Sequence, residues 1–319
     1  SIPVIDMVEI GAGGGSLAHV DALNQIRGGP ESAGSEPGTA CYGRGGERPA
    51  VTDGDLLQGK LHPDNFAGGS IPLDKAASEA ALLTHIGGKL DLDAMQAAYG
   101  LTEVVDENMS NAARVHAVEN GEDLSEYTMI AFGGAAPRHA ARLCEKLGID
   151  RCLVPTGAGV GSAIGFLKAP VSFEATRPVL AEFKAFEPSI IAKTLGELRD
   201  EATTFVRSCD ANAPIEAEYK VYMRYRGQGW EIPINLTAEQ AANPDRATFQ
   251  ALFERDYTQL FGRTVAGLEI EATVWAVNAT TPTPPAKRVA ATIATDDAKP
   301  QSVRTVFDAA RGEPVEAQV

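Results

Sequence analysis

Hydrophobic and polar positions along the chain divide it into short apolar runs, long amphipathic stretches and glycine-rich interruptions. Residues 2–10 are rich in β-branched Ile and Val and precede a glycine cluster, which predicts a strand. Residues 16–20 then read as a returning strand and residues 25–27 as a third, an antiparallel meander whose first turn is 11–15. Residues 28–72, rich in Gly, Pro, Ser and Asp, form a long irregular stretch of the functional or linker kind. Asp74 is placed to cap a helix running to about Ile86 and stopped by Gly87 and Gly88. A short helix is predicted over 91–98. A second is capped by Thr102, carries Val105, Met109, Ala112 and His116 on one face, and stops at Gly121. Residues 127–132 read as a buried strand, Pro137 opens a helix ending at Gly148, 151–155 is a strand, and the turn 157–163 leads into a further helix.

The pattern changes near Pro170. Residues 188–209 form an amphipathic helix with Ile191, Leu195, Leu198 and Phe205 on its apolar side. Residues 216–236 read as two strands around Gly227-Gln228-Gly229, residues 248–261 as an aromatic-faced helix, and 268–279 as a strand. The predicted domains are 1–170, an α+β module over 171–280, and an extended or partly disordered tail over 281–319.

Composition narrows the function classes. The 319 residues carry a net charge of −15, which disfavours nucleic acid and anionic lipid as partners. No apolar run nears the roughly 20 residues needed to span a bilayer. Four cysteines, Cys41, Cys144, Cys152 and Cys209, form no C-x-x-C pair or His/Cys cluster, as in a reduced cytoplasmic protein without structural zinc. Cys41 reads as a small buried thiol.

The candidate chemistry lies in the glycines. Gly11-Ala12-Gly13-Gly14-Gly15-Ser16 is a strand-to-strand turn of the kind whose N–H groups cradle phosphate, though no Lys follows at P-loop spacing. Phe132-Gly133-Gly134-Ala135-Ala136-Pro137-Arg138-His139 joins a strand to a helix N-terminus, where anionic ligands collect. Gly157 to Ser162 repeats that arrangement.

Taken in order, the glycine turn 11–16, Gly38-Thr39-Ala40-Cys41-Tyr42-Gly43-Arg44-Gly45-Gly46, Val51-Thr52-Asp53, and Gly133-Gly134 with Pro137 and His139 resemble the hydantoinase A family. That family includes 5-oxoprolinase and the β-type subunits of acetone and acetophenone carboxylases. The resemblance covers roughly residues 3–170, and more weakly runs to about 280 through Arg224-Tyr225-Arg226-Gly227-Gln228. It implies an α/β fold: half of an actin-like ATPase domain of the sugar kinase and Hsp70 type, followed by a smaller α+β module. The chain lacks the first phosphate hairpin and resembles the C-terminal half of a full-length member.

The resemblance makes Gly11, Gly13, Gly14, Gly15 and Ser16 the second phosphate loop, and Gly133, Gly134 and Ala135 the adenosine loop, with His139 beside it. Two departures stand out: Gly is expected where Ala135 stands, and a small or apolar residue where Arg138 stands. Asp6 and Glu9 precede the phosphate loop and are the candidates for Mg²⁺, held mostly through water; with Asp53 they are also the catalytic candidates. Asp53 reads equally as an Asx-turn residue before Gly54. The implied cofactors are ATP and Mg²⁺. The implied function is ATP-dependent ring opening of a cyclic amide by phosphorylation of its carbonyl. Alternatives are a subunit of a ketone carboxylase or a non-catalytic scaffolding subunit. The implied partners are a subunit carrying the first half of the ATPase and a hydantoinase B-type subunit.

Overall fold

The structure is a computed structural model and describes residues 7–283, 300 and 302–318. It divides into two compact units, one of residues 7–166 with 302–318, the other of residues 167–283.

The first unit opens on a hairpin of β1 (Ser16–Val20) and β2 (Ile26–Ser32). Asp21 closes its turn by accepting the N–H groups of Leu23 and Gln25, both at 2.9 Å. Among the described residues the expected first strand of the meander is not formed. Residues 7–10 are exposed and irregular, and residues 1–6 lie outside the described residues. The free side of β1 is taken instead by the segment at Pro49 and Ala50, whose Pro49 carbonyl accepts the Ala18 N–H at 2.8 Å.

That segment delivers α1 (Val51–Leu57), a helix buried along its whole length inside the stretch expected to be irregular. Asp74 caps α2 (Lys75–Leu82) as expected, accepting the Ala77 N–H at 3.0 Å. The chain continues through a π turn, Leu83–Gly87, and the one-turn α3 (Gly88–Leu90), so the glycines at 87 and 88 do not stop it. The two helices expected at 91–98 and after Thr102 are one, α4 (Ala94–Asn120), started by an Asp93/Gln96 capping box and stopped at Gly121. Gly100 does not break it; a Cβ there would lie 2.8 Å from Ile26 Cδ1. Thr102 is a buried mid-helix residue whose hydroxyl accepts from Gln58 at 2.8 Å. Val51, Leu82, Ile86, Ala97, Ala98, Leu101 and Val105 form the core between these helices and the hairpin.

Next come β3 (Thr128–Ile130), α5 (Ala136–Leu147), β4 (Arg151–Leu153) and α6 (Gly161–Lys168). The strands pair in parallel, with α5 as the crossover helix. Arg142 and Lys146 of α5 bond Glu103 and Glu107 of α4 at 2.8 to 3.0 Å, which clamps the two helices together. The strand expected to be buried is half exposed: Ile130, Phe132 and Leu153 are all more than half accessible. Among the described residues β3 pairs only with β4.

The second unit is α+β. It comprises β5 (Ser172–Glu182), α7 (Pro188–Cys209), β6 (Glu216–Tyr225), β7 (Ile232–Leu236), α8 (Ala238–Ala242), α9 (Arg246–Phe261) and β8 (Ile270–Thr280). The strands form an antiparallel sheet in the order β5-β8-β6-β7. On β6 the alternate residues Tyr219, Val221, Met223 and Tyr225 face the core, the period of a half-buried strand. Leu195 and Leu198 of α7 and Phe249 and Phe253 of α9 close over them and over Trp275. Each large side chain so buried contributes about 1.5–3 kcal/mol.

The expected tail is in part folded. β9 (Val303–Asp308) and β10 (Glu313–Gln318) form a hairpin on the first unit, where the Phe307 N–H donates to the Gln58 carbonyl at 2.8 Å and its ring packs on Tyr99.

Candidate functional site

The glycine turn ahead of β1 lines an open cleft of about 570 Å³ with Val8, Glu9, Pro30 and Ser32. Gly11 sits at φ +61°, where a side chain would be strained. The Gly14 carbonyl accepts both the N–H and the hydroxyl of Thr52, at 2.9 and 2.8 Å, which ties the turn to α1. Ser16 is buried and spends its hydroxyl inside the turn, accepting the Gly13 N–H at 2.9 Å and donating to the Gly11 carbonyl at 3.5 Å. It braces the loop where a ligand contact was expected. Among the described residues no acceptor meets the N–H groups of Ala12, Gly14 and Gly15. A turn that presents free N–H groups to an open cleft is suited to an anion.

The second glycine turn joins β3 to α5. Gly133, at φ +107°, donates its N–H to the Ala158 carbonyl at 2.7 Å, which sets the turn after β4 beside it. The structure brings this turn against the first. A Cβ added to Gly14 would stand 2.9 Å from Thr52 Oγ1, 3.3 Å from Arg138 Nη2 and 3.6 Å from the Ala135 methyl. The two loops, over a hundred residues apart in sequence, therefore meet at a position that only glycine fits.

His139 does not face the cleft, contrary to expectation. It is buried, with Nδ1 2.7 Å from Asp106 and Nε2 3.4 Å from Asp55. Burial on its own pushes its pKa down, but Asp106 and Asp55 outweigh burial and raise it to about 9. Burial would likewise raise Asp55; His139, then Arg138 and Lys60, hold it below the usual carboxylate range instead. Asp55 and Asp106 were not foreseen, and Arg138 stood out only as a departure from the expected small or apolar residue. Asp55 lies on a helix that was read as loop, and Asp106 lies on the buried side of α4 with Thr102 and Ser110, so nothing local in the sequence marks either as a partner.

This pair gives stability a pH dependence. The raised histidine contributes fully below its ordinary 6.5, and the contribution is lost as pH rises toward about 9. The depressed Asp55 contributes above its ordinary 3.8 and is lost as pH falls below it. Unfolding free energy should thus fall between pH 6.5 and 9, by on the order of 3 kcal/mol. Denaturant titrations at the two pH values check this, and His139→Gln should flatten the dependence.

Asp53, a catalytic candidate, is wholly buried. Its carboxylate accepts the Thr39 hydroxyl, the Cys41 N–H at 2.9 Å, the Ala50 N–H at 2.7 Å and the Ser78 hydroxyl at 2.7 Å. With all four bonds made inside the protein, it fastens the loop at 39–41 to α1 and α2 and presents nothing to a ligand. Burial, and then the neighbouring Asp53 charge, push the Cys41 thiol far up, so it is a packed hydrophobe and not a nucleophile.

Glu9 is exposed on the cleft beside the glycine turn, and Asp6 lies outside the described residues. No group of three or more acidic, His or Cys side chains able to hold a metal occurs among the described residues. A cation held wholly by protein therefore does not fit these residues. One that arrives on phosphate oxygens and keeps its waters fits a single carboxylate such as Glu9. No helix among the described residues is long and apolar enough to cross a membrane.

Residues 1–175 match the hydantoinase/oxoprolinase family. The caprolactamase subunit alpha of Pseudomonas jessenii is 31% identical over 264 residues, which are 82% of this chain and 38% of that one. The acetophenone carboxylase gamma subunit of Aromatoleum aromaticum is 38% identical over 166 residues, 52% of this chain and 22% of that one. The solved ATP-dependent caprolactamase from P. jessenii superposes with a TM-score of 0.72 at 28% identity, over 95% of this chain and 45% of that one. The chain thus spans less than half the length of the relatives it matches. Its fold class is the expected one, α/β of the actin-like ATPase kind with a smaller α+β module. By its match over residues 1–175, with two glycine turns brought together over one cleft, the chain belongs to the hydantoinase/oxoprolinase family.

Proposed function

We propose that this chain is the part of an ATP-dependent enzyme that grips the nucleotide from one side, and that the enzyme opens a cyclic amide. The observation that carries the reading is the meeting of the turn at Gly14 with the turn at Gly133 to Ala135, beside free N–H groups. The first turn would hold phosphate and the second would border the adenosine. ATP's γ-phosphoryl group passes to the amide carbonyl oxygen: that O–P bond forms, the bond to the β-phosphate oxygen breaks, and ADP leaves. Water then adds to the activated carbon, the ring C–N bond breaks as the nitrogen takes a proton and leaves as the amine, and a second water hydrolyses the resulting acyl phosphate to carboxylate and phosphate. The part played by these residues is positioning and charge neutralisation by backbone N–H groups. Mg²⁺ would neutralise phosphate charge when bound, with Glu9 orienting its waters.

The similarity to an acetophenone carboxylase subunit supports a second reading, in which a ketone's enol is phosphorylated and then carboxylated. A partner carrying the other phosphate loop completes either enzyme, and a hydantoinase B-type subunit is the natural second partner. We place the enzyme in the cytoplasm, where ATP is available and its cysteines, all unpaired here, stay reduced.

ADP release by the co-expressed complex tests the reading, with hydantoin, 5-oxoproline and caprolactam in one set and acetone and acetophenone with bicarbonate in the other. Stimulation by a cyclic amide, with stoichiometric ring opening, is expected. Stimulation by ketones alone selects the carboxylase, and no turnover with either selects a scaffolding role. The chain by itself, with one of two phosphate clamps, should bind Mg-ATP no tighter than about millimolar, roughly −4 kcal/mol by calorimetry.

A further inference from the structure

The Arg138 guanidinium has five N–H donors, and among the described residues it faces the Asp55 carboxylate as an ion pair. Its Nε and Nη1 are buried without a hydrogen-bond partner, although Nε stands 3.3 Å from the Asp55 carboxylate across an ion pair. The Nη2 edge lies against Gly14. Asp55 is fully buried, and neither of its oxygens is hydrogen-bonded. It faces Arg138, His139 Nε2 at 3.4 Å and Lys60 Nζ at 3.6 Å. Asp106 is the other carboxylate of the cluster. With His139 protonated, the cluster holds three cations against two anions among the described residues. One positive charge is left over directly beneath a turn with free N–H groups. A buried excess charge is costly unless something neutralises it.

We infer that Arg138 is a phosphate contact: its Nη2 edge donates to an oxygen of the anion held by the turn at Gly11 to Gly15, while Asp55 fixes the guanidinium from behind. The inference rests on the nucleotide reading above and adds to it a side chain that departs from the expected small or apolar residue. Asp55 then has a role distinct from catalysis. It is a positioning residue that keeps the fork of Arg138 turned toward Gly14. Guanidinium-to-phosphate bonds are among the stronger protein contacts, so the loss of this one should be large.

The test separates contact from mere ion pairing. Arg138→Leu leaves His139 and Lys60 against Asp55 and Asp106, two cations for two anions, so the cluster stays balanced and assembly is retained. Calorimetry with Mg-ATP is run on the assembled complex, for the wild type, Arg138→Leu and Arg138→Lys. Weakening of Mg-ATP by about tenfold to a hundredfold in Arg138→Leu is expected. Arg138→Lys, which keeps the charge, should retain affinity within a few-fold. Equal affinity in Arg138→Leu and the wild type would overturn the inference and leave Arg138 as the structural partner of Asp55. Absence of binding in the wild-type complex would overturn the nucleotide reading itself, and the inference with it. Should Arg138→Leu fail to assemble, Arg138→Gln decides: weakening of tenfold or more beside retained affinity in Arg138→Lys supports the contact, and wild-type affinity in Arg138→Gln overturns it.

Discussion

Gly13→Val should reduce ATP turnover by the assembled enzyme about a hundredfold or more while leaving its melting temperature unchanged. The two glycines at the turn answer different questions. A Cβ at Gly14 meets Thr52 and Arg138 within 3.3 Å, so a valine there disturbs the protein whether or not a ligand binds. A Cβ at Gly13 meets nothing within 4 Å, and Gly13 is not among the residues with positive φ. Its side chain would occupy the cleft the turn lines, where phosphate oxygens must come within hydrogen-bond distance of N–H groups. Losing one such preorganised donor typically costs about 2.7–4 kcal/mol of transition-state stabilisation. ADP-release kinetics beside a thermal melt read both halves of the prediction. Normal turnover in Gly13→Val would make the turn a structural hairpin.

Asp106→Ala should destabilise the first unit by about 3–5 kcal/mol at pH 7. Asp106 is 1% exposed and supplies the shorter of the two contacts to His139. Without it, a buried imidazolium faces Asp55 alone, which Arg138 and Lys60 already share. Domains are stable by only about 5–15 kcal/mol, so the loss takes much of the margin. In Asp106→Asn the amide can still hydrogen-bond the ring. The loss should then be smaller, and the decline of stability with pH should begin at a lower pH, since the imidazolium has lost a counter-charge. Urea unfolding across pH 6 to 9 measures both. A loss below about 1 kcal/mol in Asp106→Ala would mean that His139 is neutral in the folded protein.

What was legible in the sequence was local. The caps at Asp74 and Gly121, the Pro137 and Gly148 bounds of α5, and the apolar stripe of α7 are set by neighbours within a turn or two. What was missed depends on partners far along the chain. Gly100 lies between the two helices expected there, but it is the place where Ile26 packs on α4. Gly54 and two aspartates disguise α1, whose stability comes from burying every residue and from Asp53 accepting four hydrogen bonds. The strand expected over residues 2–10 is not formed over 7–10, because Pro49 and Ala50 occupy the side of β1 assigned to it. The same division holds at the site. The glycine turns announce themselves by composition. The floor of Asp55, Asp106, Arg138 and His139 is assembled from three helices and has no motif, and His139, named for the ligand, belongs to that floor.

The most direct measurement is a structure of the assembled enzyme with Mg²⁺ and a non-hydrolysable ATP analogue. The account predicts phosphate oxygens within hydrogen-bond distance of the N–H groups of Ala12, Gly14 and Gly15, with the adenosine against Gly133 to Ala135. A nucleotide bound elsewhere, with the turn at Gly11 to Gly15 unchanged and facing solvent, would contradict it.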